Sequence, residues 1–179
     1  MPTGLSLRTA TNVAQLIAAE YLFDNTVRDA WARRFLAAEG HVMLLAYLDR
    51  VGEGTPVGFV TGIEMIHPDK GVEMALYELE VAEPYRRAGI GRALTAALAA
   101  VARERGCYGM WVGTDTGNAA ALATYLSAGA RDEGPSAILA WTFEDTKDTE
   151  DTEDTEDTED TVHHDRDPHG NRHGGDAAR

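Results

Sequence analysis

The residues from Arg86 to Leu94 read Arg-Arg-Ala-Gly-Ile-Gly-Arg-Ala-Leu, a Gly-x-Gly pair between an apolar stretch ending at Val81 and the most regular helical pattern in the chain. Glycines at a helix start let backbone N–H groups close around an anion, and the helix dipole favours negative charge at the same end. The chemistry on offer is binding of a pyrophosphate. The plainer reading, a glycine turn that only starts a helix, fits the glycines equally well. Two other phosphate motifs are excluded. The third glycine of Gly-x-Gly-x-x-Gly would fall on Leu94, and no Gly-Lys-Ser/Thr occurs.

The elements that must position this segment follow from periodicity. Val13, Leu16, Ile17, Ala18 and Tyr21 recur at helical spacing behind a potential cap at Asn12, and a second helix is predicted from Thr26 to Glu39, stopped by Gly40. Its Arg28, Arg33 and Arg34 read as a solvated face. The apolar runs 42–48 and 57–63, separated by Gly52-Glu53-Gly54, predict a hairpin of two long strands. A third strand covers 74–81, with Glu78 and Glu80 on one face and Tyr77, Leu79 and Val81 on the other. A helix from Gly89 to Arg105, closed by Gly106, precedes short strands at 110–112 and 138–141, with an Ala-rich helix from Asn118 to Ala128 between them. This order predicts an α+β fold with a mixed sheet.

The net charge of -14 is unevenly distributed: residues 1–143 hold 16 acids and 12 bases, net -4, and residues 144–179 hold 14 acids and 4 bases, net -10. From Asp145 to Thr161 an Asp-Thr-Glu repeat contains no apolar residue, so that a folded domain at 1–143 and a disordered acidic tail at 144–179 are expected. The four histidines at 163, 164, 169 and 173 have no ordered ligand spacing and read as incidental. The mildly acidic domain suits a cationic substrate, and the lack of a basic stripe disfavours nucleic acid. One cysteine, Cys107, cannot form an internal disulfide, and no signal peptide or membrane span is discernible, so a cytoplasmic location without membrane attachment is expected. Cys107 is expected to be a buried, inert thiol.

Arg86, Gly89 and Gly91 meet the signature Gln/Arg-x-x-Gly-x-Gly/Ala, preceded by Leu79-Glu80-Val81-Ala82-Glu83-Pro84-Tyr85. A second region, Asn118-Ala119-Ala120-Ala121 with Tyr125 and Gly129, follows about 30 residues later. In both, residues 5–143 resemble the GNAT N-acetyltransferases. The stretch Leu76-Tyr77-Glu78-Leu79 is most similar to the short GNAT-type aminoglycoside 3-N-acetyltransferases. The resemblance implies a GNAT fold, a mixed central sheet flanked by about four helices. It implies acetyl-CoA as cosubstrate, with the N–H groups of Arg87, Ala88, Gly89, Ile90, Gly91 and Arg92 on the pyrophosphate beside Arg86. It also implies main-chain pairing of Leu79 to Val81 with the pantetheine arm, and Asn118 and Tyr125 at the thioester.

Acetyl transfer to an amine needs a base for the nucleophile and a proton for the departing thiolate. Tyr125 is placed to donate that proton. Glu78, which the resemblance sets against the amine, is placed as the base. Glu80 is a second carboxylate that could face the substrate, although a solvated strand face is the better account of it. His67, before a proline in a loop, reads as a turn residue. The expected acceptor is a primary amine of a polycationic small molecule, the 3-amino group of an aminoglycoside, with no metal. Another small amine, a polyamine or a protein amine is the alternative acceptor, and a non-catalytic acetyl-CoA-binding module is the alternative from another class. Among similar enzymes homodimers are common, which leaves one possible here.

Overall fold

The computed structural model describes residues 2–49, 51, 54–134 and 139–141. The expected tail at 144–179, with its histidines, lies outside these. The chain divides into compact units at Met1–Ser136 and Ala137–Arg179, and the regular elements of the described residues lie in the first. Five strands, β1 (Leu5–Thr9), β2 (His41–Leu48), β3 (Gly58–His67), β4 (Gly71–Val81) and β5 (Met110–Trp111), form one sheet in chain order. The first three pairings are antiparallel and β4 with β5 is parallel. Four helices complete the unit: α1 (Val13–Ala18), α2 (Asp29–Ala37), α3 (Ile90–Glu104) and α4 (Ala119–Ser127).

β2 is buried along nearly its whole length because both sheet faces are covered, which is why its sequence reads as an unbroken apolar run. Val42, Leu44, Ala46 and Leu48 join Val60, Met74 and Leu76 beneath Ile90, Leu94 and Leu98 of α3. Met43, Leu45 and Tyr47 join Phe59 on the other face against Leu16, Leu22 and Ala32. The α3 side leaves no spare volume at Gly62, where a Cβ would stand 2.7 Å from Leu98 Cδ1 and 2.8 Å from Met74 Sδ. Gly62→Val is therefore expected to destabilise the domain by about 1–3 kcal/mol, read as a lower urea midpoint.

Local chemistry sets the ends of the helices. Asn12 caps α1 in a reciprocal box: its Oδ1 accepts from Gln15 N at 3.0 Å, while Gln15 Oε1 accepts from Asn12 N at 3.3 Å. α2 is shorter than the predicted 26–39. Glu20 Oε2 accepts from Val27 N at 2.9 Å, which keeps that residue in the loop, and the chain turns extended at Ala38 to enter β2. Arg33 pairs with Asp29 on the exposed side of α2, as a solvated face requires. Leu139, Ala140 and Trp141 belong to no strand, contrary to the sequence expectation; Ile138 is outside the described residues. Leu139 and Trp141 are largely exposed, so the apolar pattern there lacks the burial that a strand face needs.

One irregularity governs the site. Thr61 pairs with Glu78 but Gly62 pairs with Leu76, so Tyr77 is an extra residue, a β-bulge. Leu76 before the bulge and Leu79 after it therefore both face the α3 core, although an unbroken strand would put them on opposite faces. Tyr77, expected on the face of Leu79 and Val81, is instead 74% exposed.

Candidate active site

Past Val81 the chain makes a 3-10 turn at Glu83–Tyr85, with Pro84 in its first positions, and an extended step at Arg86. Arg87 (φ 64°) and Gly89 (φ 83°) then adopt the left-handed conformation, and Arg87 is the one non-glycine residue to do so among the described residues. Left-handed residues at alternating positions gather successive N–H groups into an anion-binding concavity. The first bond of α3 runs from Ala93 N to Gly89 O at 3.0 Å. The amides of Ile90, Gly91 and Arg92 thus lie in the first turn, where no intrahelical carbonyl can reach them.

This concavity closes one end of a cleft of ≈ 850 Å³ between β4 and α4. Its walls include Leu79, Glu80 and Val81, the segment from Tyr85 to Arg92 except Ala88, and α4 from its cap Asn118 to Tyr125 except Leu122, with Ser127. Gly91 lets the walls approach, since a Cβ there would lie 3.2 Å from Thr124 Cγ2 and 3.7 Å from Leu79 Cδ2. One edge of β4 is open along the cleft. β5 pairs only with Met74 and Ala75, and the bulge follows at once. Among the described residues the edge from Leu76 to Val81 has no strand partner, a form that accepts an extended ligand by main-chain bonds.

Most of the residues expected at the cofactor do meet here: Leu79, Val81, Arg86, Arg87, Gly89, Ile90, Gly91, Arg92, Asn118 and Tyr125 all line the cleft. Ala88 does not; it lines a separate hollow with Leu7, Ala93 and Ala96. The side chain of Arg86 is already engaged, donating from Nε to Val81 O at 2.8 Å and from Nη2 to Glu80 Oε1 at 2.7 Å. Arg86 thus ties the glycine loop to the end of β4, and Glu80 is its anchor more than a solvated face. Asn118 Oδ1 caps α4 by accepting from Ala121 N at 3.0 Å, which leaves its amide nitrogen to serve a ligand. The sequence reading overlooked Thr124 and Tyr85, which carry no motif of their own and are recognisable only from α4 and the 3-10 turn facing each other.

Tyr125 is half-buried and packs against the α3 core. Desolvation raises its phenol above the ordinary value, so at neutral pH it is a proton donor. Glu78 does not line the cleft. Its cross-strand partner Thr61 lies beside Met43 and Phe59, so Glu78 faces the α1 side of the sheet while Leu79 faces the cleft side. The two faces meet at the open edge of β4. Burial pushes the Glu78 carboxyl above the usual range, and the nearby negative charges of Asp24 and Glu80 push it further. Asp24, absent from the sequence reading, is brought there because Phe23 stacks on Phe59 with centroids 4.5 Å apart. His67 pairs with Asp69 in its exposed turn, and Cys107 is a half-buried thiol raised by desolvation, neither of them at the cleft. Among the described residues no cluster of His, Cys, Asp and Glu could hold a metal ion, and no helix is long and apolar enough to cross a membrane.

The five-stranded mixed sheet with its bulge in β4, and the cleft lined by β4, the start of α3 and α4, make up one α+β unit. The sequence profile of the Acetyltransferase (GNAT) family matches residues 10–130, and the chain belongs to that family. It is similar to an aminoglycoside acetyltransferase from an uncultured soil metagenomic sample, solved in complex with trehalose, at 22% identity and TM-score 0.70, with 78% of this chain and 97% of that one covered. A second soil-metagenome aminoglycoside acetyltransferase is 27% identical, with TM-score 0.63 and coverage of 77% and 99%. Aminoglycoside N-acetyltransferase AAC(6')-Iy in complex with CoA is 17% identical, with TM-score 0.64 and coverage of 77% and 100%. No curated protein sequence matches significantly.

Proposed function

We propose that this N-acetyltransferase uses acetyl-CoA to acetylate a primary amine of a polycationic small molecule, the acceptor being an aminoglycoside amino group and its position the 3-amino group. The observation that carries the reading is the cleft itself, lined by the first turn of α3 at Ile90, Gly91 and Arg92 and by the edge of β4, with Glu78 on the other face of that strand. Acetyl-CoA supplies an acyl group on a thiolate leaving group. The amides bind its pyrophosphate, and the open edge from Leu79 to Val81 aligns its extended arm, with Arg86 already occupying the Val81 carbonyl. Asn118 offers its amide nitrogen near the thioester.

On the other face of β4, Glu78 takes the proton from the attacking ammonium, directly or through one water, and its raised pKa makes it a stronger base than an exposed carboxylate. Asp24 and Glu80 keep that side negative and favour a substrate with several ammonium groups. Tyr125 delivers its phenolic proton to the departing sulfur. Tyr125→Phe keeps the ring in its packing, so kcat is expected to fall about 10–100-fold with an unchanged melting temperature; an unchanged kcat removes Tyr125 from the chemistry. Mass and NMR analysis of the product from gentamicin-class substrates tests the whole reading. A monoacetylated 3-amino group supports it, acetylation at the 6' position corrects the position alone, and acetylation only of a polyamine or peptide amine replaces the acceptor.

A further inference from the structure

The hydroxyl of Thr61 is out of place on energetic grounds. The residue is only 7% exposed, and its Oγ1 is fully buried without a hydrogen-bond partner. Met43 flanks it on β2, and Phe59 shares its face two positions away on β3. An unpaired buried hydroxyl is costly, and valine would fill the same volume without that cost. The polar side chain directly across from it is Glu78, its register partner on β4. Partners across an antiparallel pair have Cβ atoms about 4.5–5.5 Å apart, within reach of a threonine hydroxyl and a glutamate carboxylate after rotation about the Glu78 side chain. The bulge at Tyr77 falls beside this same pair, where it interrupts the ladder and bends β4.

We propose that Thr61 is a positioning residue for Glu78: its hydroxyl donates to the carboxylate when Glu78 is ionised and ready to accept a proton. The inference rests on the proposed role of Glu78 as base. In the charged state the carboxylate faces Asp24 from the segment between α1 and α2 and Glu80 from its own strand, the latter partly neutralised by Arg86. Tyr77 is its exposed neighbour. Within this negative setting, a donor from β3 stabilises the ionised form and orients one oxygen, leaving the other toward the open edge where the amine arrives.

Thr61→Val removes the donor at constant shape, and Thr61→Ser keeps it. Side-chain carboxyl carbon NMR of the full chain reads the titration of Glu78 directly. The expected result for Thr61→Val is a midpoint higher by about one pH unit and an acidic limb of kcat/KM displaced by the same amount, with Thr61→Ser close to the original protein. Below the Glu78 midpoint, where the hydroxyl has no ionised partner, the melting temperature of Thr61→Val is expected to stay level or rise, and above it the gain should shrink because the carboxylate has lost its donor. In a Glu78→Gln background the valine substitution should change the residual rate no further. An unchanged Glu78 midpoint in Thr61→Val overturns the proposal, and Thr61→Ala serves for the same titration if the valine variant does not fold. The titration needs no turnover, so a chain that acetylates none of the offered amines would sink the proposed function separately.

Discussion

Glu78→Gln is expected to lower kcat by about 10²–10³-fold, the range of a lost general base, while the affinity for acetyl-CoA stays unchanged. The amide is nearly isosteric with the carboxylate and lies on the face of β4 away from the cleft, so the cofactor site should not register the change. The same substitution carries a second signature. Burial and two negative neighbours raise the folded-state pKa of Glu78 above its unfolded value. Below the unfolded pKa the group is neutral in both states and costs nothing. As pH rises through that value toward the folded pKa and beyond, the folded state must carry a disfavoured charge and loses stability relative to the unfolded chain. Glu78→Gln should therefore melt higher than the original protein at pH 8, with the difference vanishing toward pH 4. A slower but more heat-stable enzyme would mark Glu78 as a residue kept for chemistry at the expense of the fold. Unchanged turnover would remove it from the mechanism.

Gly91→Val is the second large effect expected, now on binding. A Cβ at this position already presses on Thr124 Cγ2 at 3.2 Å, and the branched methyls of valine would force α4 away from the start of α3 or fill the cleft mouth beside Leu79. The dissociation constant for acetyl-CoA is expected to rise on the order of 100-fold, about 2.7 kcal/mol, measured by calorimetry with CoA as titrant. Arg87→Gly provides the contrast. Glycine adopts φ 64° without strain, so the amides stay in place while the guanidinium is lost, and binding should weaken by about tenfold or less. Equal losses in the two variants would mean that side-chain charge, and not the backbone concavity, holds the anion.

The two segments that line the cleft were legible because their signals are local. Gly89 and Gly91 mark backbone that other residues adopt poorly or approach too closely, and Asn118 marks a helix cap. Helix α3 and strands β2 and β3 were equally plain, since their apolar patterns match burial on one or two faces. The bulge at Tyr77 left no such trace. A single extra residue preserves the apolar composition of β4 while changing which residues share a face, so Tyr77 read as a partner of Leu79. Long-range neighbours were also hidden. Asp24 reaches Glu78 through a Phe23–Phe59 stack between distant segments, and the orphaned hydroxyl of Thr61 has meaning only in the strand register. At 139–141 an apolar alternation suggested a strand, but a strand exists only where a ladder partner does.

The most direct test is release of free CoA thiol from acetyl-CoA with a gentamicin-class aminoglycoside, spermidine and a lysine peptide offered in parallel. The account predicts rapid release with the aminoglycoside, slow or none with the others, and collapse of that release in Glu78→Gln. Binding of CoA without release for any of the three would contradict it and leave a module that holds the cofactor but transfers nothing.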